Sequence, residues 1–193
     1  RYFFLREVSF GQDGNYSHEA IVGRINADLA NDLGNLAQRS LSMIAKNCEG
    51  RVPACGTLTE GDLAMLGQAD GALAKIRAAM NDFALHVLLA DLWALIAEAN
   101  RYFAANEPWR LTKTDPSRRD TVLYVTAEVL RQVAIMVQPV MPEAMAKLLD
   151  LLGVAADARS FATLGEGGRL ASGAALPAPS GIFPRFVEPE AAA

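Results

Sequence analysis

Cysteine, histidine and aromatic residues are scarce in this sequence of 193 residues, which holds only 2 Cys, 2 His and 7% Phe, Trp and Tyr. Cys48 and Cys55 lack the second pair, or the nearby histidine, that a tetrahedral zinc site needs, so we expect free thiols and no metal. The sequence also contains no Gly-rich phosphate loop, serine elbow or His-Glu-x-x-His motif. We therefore expect neither a cofactor nor a catalytic residue in this chain.

Long apolar runs and an excess of positive charge are also missing. His86 and Asp91 interrupt the most apolar stretch, residues 83–97, before it reaches the roughly 20 residues of a membrane span. The net charge of −4 argues against binding of nucleic acid through a broad basic surface. We expect a soluble, cytoplasmic protein without a membrane or DNA partner, and any RNA must be bound locally.

The residues that are abundant point to helices. Hydrophobic residues make up 51% of the sequence, with many Ala and Leu and few β-branched or aromatic runs. This composition favours an all-α fold, and the length suits one domain with a sizeable core. Apolar residues at helical spacing predict a bundle of about five helices, of which the third, being the most apolar, is expected to be central. The predicted helices cover residues 18–47, 59–80, 83–105, 115–138 and 143–152.

Both ends of the chain differ from this bundle, which we assign to residues 18–153. Two Gly with Asp and Asn between positions 11 and 15 are typical of tight turns, so residues 1–17 are predicted to be irregular. After Gly153 the composition shifts towards Gly, Ala, Pro and Ser. Residues 154–193 are therefore predicted to form an irregular strap that packs on the bundle.

Four residues form a candidate site for an unpaired RNA base. Asn35 and Arg39 are four residues apart, so they lie one above the other on one helix face, opposite the apolar stripe. Their amide and guanidinium groups can hydrogen-bond to base edges. Pro108 ends the preceding helix, which places Trp109 on a connection where its indole could stack on a base.

Positive charge is concentrated directly after this tryptophan. Arg110, Lys113, Arg118 and Arg119 lie within ten residues. Such a cluster could hold an RNA backbone, and Arg110 and Lys113 are the residues that we expect to do so. A solvated run of charges at the entry to a helix is the commoner explanation for such a pattern.

Three separated segments resemble, in the same order, the C-terminal half of the methionyl-tRNA synthetase family. They are the opening RYFFLREVSFGQDGNYS at 1–17, RINADLANDLGNLAQRS at 24–40, and GIFPRF at 181–186. The chain also begins at Arg1 without an initiator Met or a signal-peptide pattern, which is typical of a fragment. The resemblance covers nearly the whole chain.

This resemblance implies an anticodon-binding helical bundle that recognises the CAU anticodon of methionine tRNA, with cytosine as the main target. Trp109, directed by Pro108, would stack beneath a splayed base, and Asn35 and Arg39 would bind base edges. Residues 1–17 would be the end of the connection from the stem-contact and catalytic domains. The parent would be a class I methionine-tRNA ligase whose catalytic half binds ATP and carries zinc; this segment lacks its signatures and should be inactive alone.

Two alternatives are left open by the residues. The chain could be the anticodon domain of another class I synthetase, for cysteine, leucine, isoleucine or valine, although the Asn-Leu-Ala-Gln-Arg and Pro-Trp motifs favour methionine. It could also be a helical scaffold that binds protein partners through an apolar groove, with Trp109 buried and the basic cluster merely solvating the surface.

Overall fold

The computed structural model describes residues 1–14 and 16–188, and they form a helical bundle. Leu, Ile, Val, Met and Ala at helical spacing build its core, as the sequence predicts. The helices are α1 (Tyr2–Glu7), α2 (His18–Arg24), a π-helical segment (Ile25–Gly34), α3 (Asn35–Asn47), α4 (Glu60–Asn81), α5 (Leu85–Asn106), α6 (Pro108–Thr114), α7 (Pro116–Val137) and α8 (Pro142–Leu151).

The all-α bundle is confirmed, and two helices were not predicted. Of the described residues in 1–17, those at 8–14 and 16–17 are irregular, whereas α1 packs on α5 with Tyr2 and Phe3 buried. The Tyr2 ring lies 4.5 Å from that of Trp93, and this tertiary contact has no local sequence signal. Residues after Pro108 form helix α6 instead of a plain connection, since proline is well suited to a first helical position.

Helix α7 occupies the centre of the bundle, so the prediction that residues 83–105 are central is wrong. Every residue from Thr121 to Val137 is buried, and α7 contacts α3, α4, α5, α6 and α8. Its polar residues conceal this from the sequence pattern. Glu128 and Arg131 pair at 2.7 Å within the core, with side chains that are 0% and 2% exposed.

The predicted irregular strap is present from residue 154 to 188, with three short 3-10 turns; residues 189–193 lie outside the described part. The strap satisfies the polar groups of α7. Arg131 donates to the carbonyl of Thr163 at 3.0 Å, and Glu128 accepts from the backbone N–H of Leu170 at 3.0 Å. Buried charge on α7 is therefore compensated by strap backbone.

The predicted helix over 18–47 is continuous, but its middle third is a π-helix. Two side chains of α5 donate to its carbonyl oxygens: the Trp93 indole to Asp28 at 3.2 Å and the Asn100 amide to Asp32 at 3.2 Å. Gly34 ends this segment, where a Cβ would lie 2.8 Å from the carbonyl oxygen of Leu29. Gly34 thus suits the π-helical backbone, since π-bulges draw residues five apart together.

Within the described ranges, the structure contains no helix with the length and hydropathy of a membrane span.

Candidate nucleic-acid interface

Helix α3 presents Asn35 and Arg39 to solvent. Both residues are exposed, whereas Leu36 and Ala37 between them are fully buried against the bundle. The buried pair fixes the rotation of α3 about its own axis, so the amide and the guanidinium project from one side, a single turn apart. The helix face on which their spacing places Asn35 and Arg39 is thus exposed in the structure.

Trp109 is the second residue of α6 and lies close to the end of α5. Glu107 adopts a left-handed conformation, with φ 42° and ψ 53°, and turns the chain between the two helices. Pro108 is buried and begins α6. The Trp109 side chain is 42% exposed, so it is neither enclosed in the core nor free in solvent.

The structure brings Arg39 and Trp109 together. The guanidinium carbon of Arg39 lies 5.4 Å from the centroid of the Trp109 ring and 5.1 Å from that of Phe103. The two rings are tilted at 49°, with centroids 6.0 Å apart. These distances are within the range of cation–π attraction, which restrains the guanidinium at the indole.

Phe103 is a component of the site that the sequence did not reveal. It is 1% exposed and supports both Trp109 and Arg39 from below. In the sequence Phe103 continues the apolar stripe of α5, so the pattern indicates only that it lies in the core. Only its position one turn before the end of α5, next to the Pro-Trp motif, could have indicated a role.

Two of the four basic residues after Trp109 belong to the internal structure of the bundle. Arg118 donates through both terminal nitrogens to Asp62, and also to Asn106 at 2.8 Å. Arg119 is 7% exposed and pairs with Asp120 at 2.6 Å. The predicted four-charge basic patch is therefore corrected to a smaller one, because charge density along the sequence does not reveal distant partners.

Arg110 and Lys113 are the two that remain at the surface. Arg110 has a 73% exposed side chain and pairs with Glu107 at 3.1 Å. Lys113 is exposed and, within the part of the chain that the structure describes, forms no ion pair. Both lie on α6, the helix that carries Trp109.

Hydrogen bonds around the buried Asp62 stabilise the two ends of the segment that carries Trp109. Burial of Asp62 raises the pKa of its carboxyl group, but hydrogen bonds from Arg118, Tyr102 and Thr59 outweigh burial and lower that pKa to about 2. Through Arg118, the ionised carboxylate also holds Asn106, the last residue of α5. The start of α7 and the end of α5 are thereby tied together on either side of α6.

A hollow of about 520 Å³ opens between the C-terminal end of α3 and α6. Its size is within the range of small-ligand sites. Trp109 forms one wall, and none of its lining residues among those described is acidic. The lining consists of Met43, Lys46, Asn47, Trp109, Arg110, Thr112, Lys113 and Thr114.

The two cysteines are free thiols in the structure. Burial, with a hydrogen bond to Asp120, raises the pKa of Cys48 to about 12. The described residues contain no group of three or more His, Cys, Asp and Glu that could hold a metal ion.

Two family models match the chain. Residues 52–193, which include Trp109, match the anticodon-binding domain of methionyl tRNA ligase, and residues 1–41, which include Asn35 and Arg39, match class I tRNA synthetases of the methionine type. The candidate site is therefore assembled from both matched segments.

Similar proteins and structures agree with these matches. Methionine–tRNA ligase of Brucella suis is 65% identical over 188 residues, covering 97% of this chain and 36% of the relative, and that of Rhizobium meliloti is 62% identical over 191 residues, covering 99% and 37%. The crystal structure of the apo form of Mycobacterium tuberculosis methionyl-tRNA synthetase superimposes with a TM-score of 0.93 at 52% identity, covering 97% of this chain and 38% of that one. The chain spans little more than a third of these relatives. It belongs to the methionyl-tRNA ligase family, and its bundle is the anticodon-binding domain of that family.

Proposed function

We propose that this chain recognises the CAU anticodon of methionine tRNA, so that the catalytic part of a parent methionine–tRNA ligase can attach methionine in an ATP-dependent reaction. The observation that carries the proposal is the Arg39 guanidinium held over a half-exposed Trp109 indole, one helical turn from Asn35. An aromatic plane with polar groups beside it is the arrangement that proteins use to hold an unstacked RNA base.

Stacking and edge contacts have separate roles in this site. The indole can stack on any base, which contributes about 1–3 kcal/mol per base but little selectivity. Selectivity comes from the base edge: cytosine has an amino donor at N4 and acceptors at N3 and O2. The Asn35 amide oxygen can accept from the amino group while Arg39 donates to N3 and O2. Uracil has a carbonyl at C4 and an N–H at N3, so it removes the donor to Asn35 and one of the two acceptors for Arg39.

The N-terminal segment is proposed to face the catalytic part of the parent enzyme. Phe10 stacks on Phe83 with centroids 5.6 Å apart, and Phe4 stacks on Tyr16 at 6.0 Å, yet all four rings are exposed. Apolar patches of this kind commonly mark interfaces. We propose a cytoplasmic parent that binds ATP, and zinc, in the part that this chain does not span; no cofactor is assigned to this segment.

Binding of RNA hairpins tests the function directly. A hairpin with the CAU anticodon loop is compared with hairpins carrying UAU, GAU and a scrambled loop, by titration at constant salt. We expect replacement of the first anticodon base to cost about 1–3 kcal/mol, roughly 5- to 160-fold in Kd. Equal affinity for every loop would defeat the proposal, and preference for the anticodon of another amino acid would favour a different class I synthetase.

The Trp109→Ala variant separates RNA binding from the scaffold alternative. Loss of stacking is expected to weaken binding of the CAU hairpin at least tenfold per folded molecule. Trp109→Phe, which keeps an aromatic plane, is the matched control and should retain most of the affinity. If Trp109→Ala lowers stability but leaves the affinity of the folded fraction unchanged, Trp109 is a packing residue and the scaffold alternative is favoured.

A further inference from the structure

An apolar cavity lies at the opposite end of α5 from Trp109, beside the turn that joins α4 to α5. Its volume is about 270 Å³, and Arg77 is the one residue in its described lining that is not apolar. Leu88, which lines the cavity, and Phe103, which supports Trp109, are about 22 Å apart along α5 at 1.5 Å per residue. The cavity is therefore separate from the candidate nucleic-acid interface.

The cavity reaches from the surface into the core. Its floor consists of the buried side chains of Leu88, Leu89 and Met136, whereas Met80 and Phe161 at its mouth are 44% and 40% exposed. Its walls come from α1, α4, α5, the end of α7 and the strap. Because several segments surround it, the cavity offers no long open side on which a partner helix could lie. It is suited to the tail of a small molecule.

The size and the lining of the cavity favour a hydrocarbon group. Engineered apolar cavities of roughly 150 Å³ stay dry and bind the six carbon atoms of benzene. By proportion, a cavity of about 270 Å³ accommodates roughly eight to ten carbon atoms. Entry of such a group removes apolar surface of both the ligand and the protein from water, which is favourable.

The charge at the mouth of the cavity is a single guanidinium. Arg77 is exposed and, within the residues that the structure describes, forms no ion pair. No acidic residue of the described lining competes for it. A guanidinium can bind a carboxylate through two parallel hydrogen bonds. An apolar cavity with one uncompensated cation is thus complementary to a molecule with one anionic head and an apolar tail.

We propose that this cavity binds a single-chain aliphatic carboxylate with a tail of about eight to ten carbons. The tail contacts Leu88, Leu89 and Met136, and the carboxylate pairs with Arg77 at the mouth. The side chains of Met80 and Met136 are unbranched and flexible, so they adapt to a tail that bends. This ligand site goes beyond the proposed RNA-binding function and does not depend on it.

Calorimetric titration of this chain with hexanoate, octanoate, decanoate and dodecanoate tests the proposal. We expect the affinity to rise by up to about fourfold per methylene, which corresponds to about 0.8 kcal/mol, and to level off between decanoate and dodecanoate, when the cavity is filled. Binding should show a negative heat-capacity change, because apolar surface is buried. Failure of octanoate to bind, or the same affinity for all four acids, would overturn the proposal.

Arg77→Gln tests the pairing with the carboxylate, and Lys75→Gln is its matched control. Lys75 is equally exposed on α4 but borders a different hollow. Both variants are titrated with octanoate and with the uncharged 1-octanol. We expect Arg77→Gln to weaken octanoate about two- to fivefold, as for a partly exposed ion pair, and to leave 1-octanol unchanged. Lys75→Gln should change neither, and the same result for the two variants would contradict the assigned role of Arg77.

Methionine methyl groups locate the bound tail. In the chain labelled with methyl-¹³C methionine, octanoate should shift the NMR signals of Met80 and Met136 and leave that of Met43, which lies beside Trp109, unchanged. The signals are assigned by single Met→Leu substitutions. If neither cavity methionine responds, the ligand binds elsewhere and the proposal is wrong.

A side chain from the catalytic part of the parent ligase is the competing occupant of the cavity. Calorimetry with octanoate is therefore repeated on the parent ligase, where we expect the same affinity. If octanoate binds this chain but not the parent ligase, the catalytic part covers the cavity and the ligand proposal is overturned. The affinity of Arg77→Gln for the CAU hairpin should equal that of the wild type. A loss there would place Arg77 in the RNA interface and would also overturn the proposal.

Discussion

Substituting Asp62 by Asn tests whether the carboxylate between α4 and α7 stabilises the bundle as the structure indicates. The Asp62 side chain is 0% exposed. It accepts hydrogen bonds from the backbone N–H of Thr59 at 2.8 Å, from Tyr102, and from both terminal nitrogens of Arg118. Asn keeps the shape but removes the charge and replaces one acceptor with a donor that faces other donors.

The contribution of the Asp62 carboxylate to the free energy of unfolding follows from its pKa. Its folded value of about 2 is lower than the value of 3.8 for a free side chain. A lowered pKa contributes stability above the unfolded value, and the contribution is lost as pH falls from about 4 towards 2. The difference corresponds to about 2.5 kcal/mol at neutral pH, of which about 1 kcal/mol is lost at pH 3.

We expect Asp62→Asn to lower the free energy of unfolding at pH 7 by about 3 kcal/mol, the lower end of the range for a broken buried ion pair. The lower end applies because the Arg118 side chain is 21% exposed and can be partly hydrated. Urea unfolding followed by circular dichroism from pH 7 to pH 3 measures this. The deficit should shrink by about 1 kcal/mol over that range as the wild type loses its advantage. Asp157→Asn, at an exposed strap position, is the control and should follow the wild type.

If the free energy of unfolding changes with pH in the same way for the wild type and Asp62→Asn between pH 7 and pH 3, the stabilising role of the Asp62 carboxylate is refuted. RNA binding provides a second measurement on the same variant. Since Arg118 also holds Asn106 next to α6, the affinity for the CAU hairpin should fall as well, per folded molecule.

Three further substitutions or modifications have defined outcomes. Arg39→Lys keeps the charge but loses the planar guanidinium, so the CAU to UAU affinity ratio should fall at least fivefold in hairpin titrations, and an unchanged ratio would show that the guanidinium is not the discriminating group. Gly34→Ala places a Cβ 2.8 Å from a backbone carbonyl oxygen and should cost about 1–3 kcal/mol in urea unfolding, whereas Gly23→Ala, which meets no atom within 4 Å, should be neutral or stabilising. At pH 8 a thiol reagent followed by mass spectrometry should modify the exposed Cys55 faster than the half-buried Cys48, whose pKa is raised to about 12; equal rates would contradict the burial of Cys48.

Helix positions were predictable from the sequence because apolar periodicity reports directly on the face that each helix buries. The identity of the central helix was not. Glu128, Arg131 and Gln132 on α7 appear polar in sequence, and only the fold shows that the strap and α4 satisfy them. Helix α6 was missed for a related reason, since proline marks both the end of one helix and the start of another.

The candidate site was predictable to a different degree for each residue. The spacing of Asn35 and Arg39 was sufficient to place them on one face, because both lie on a single helix. That Trp109 meets Arg39 depends on how α6 packs, and no local pattern contains that information; the family resemblance supplied it. The partner of Arg118 is 56 residues away, so its role in the bundle could not be separated from a role in RNA binding by sequence alone.

The π-helical segment determines the direction in which the side chains of α3 point around the helix axis. A π-helix turns through a smaller angle per residue than an α-helix, so ten π-helical residues shift the angular phase of everything that follows. Were Ile25–Gly34 to wind as an ordinary α-helix, Asn35 and Arg39 would point in another direction around the axis. The groups that hold this winding, Trp93 and Asn100, belong to α5, the helix that also supports Trp109 through Phe103. One helix thus aligns both halves of the candidate site, and a change in its position would move them in concert.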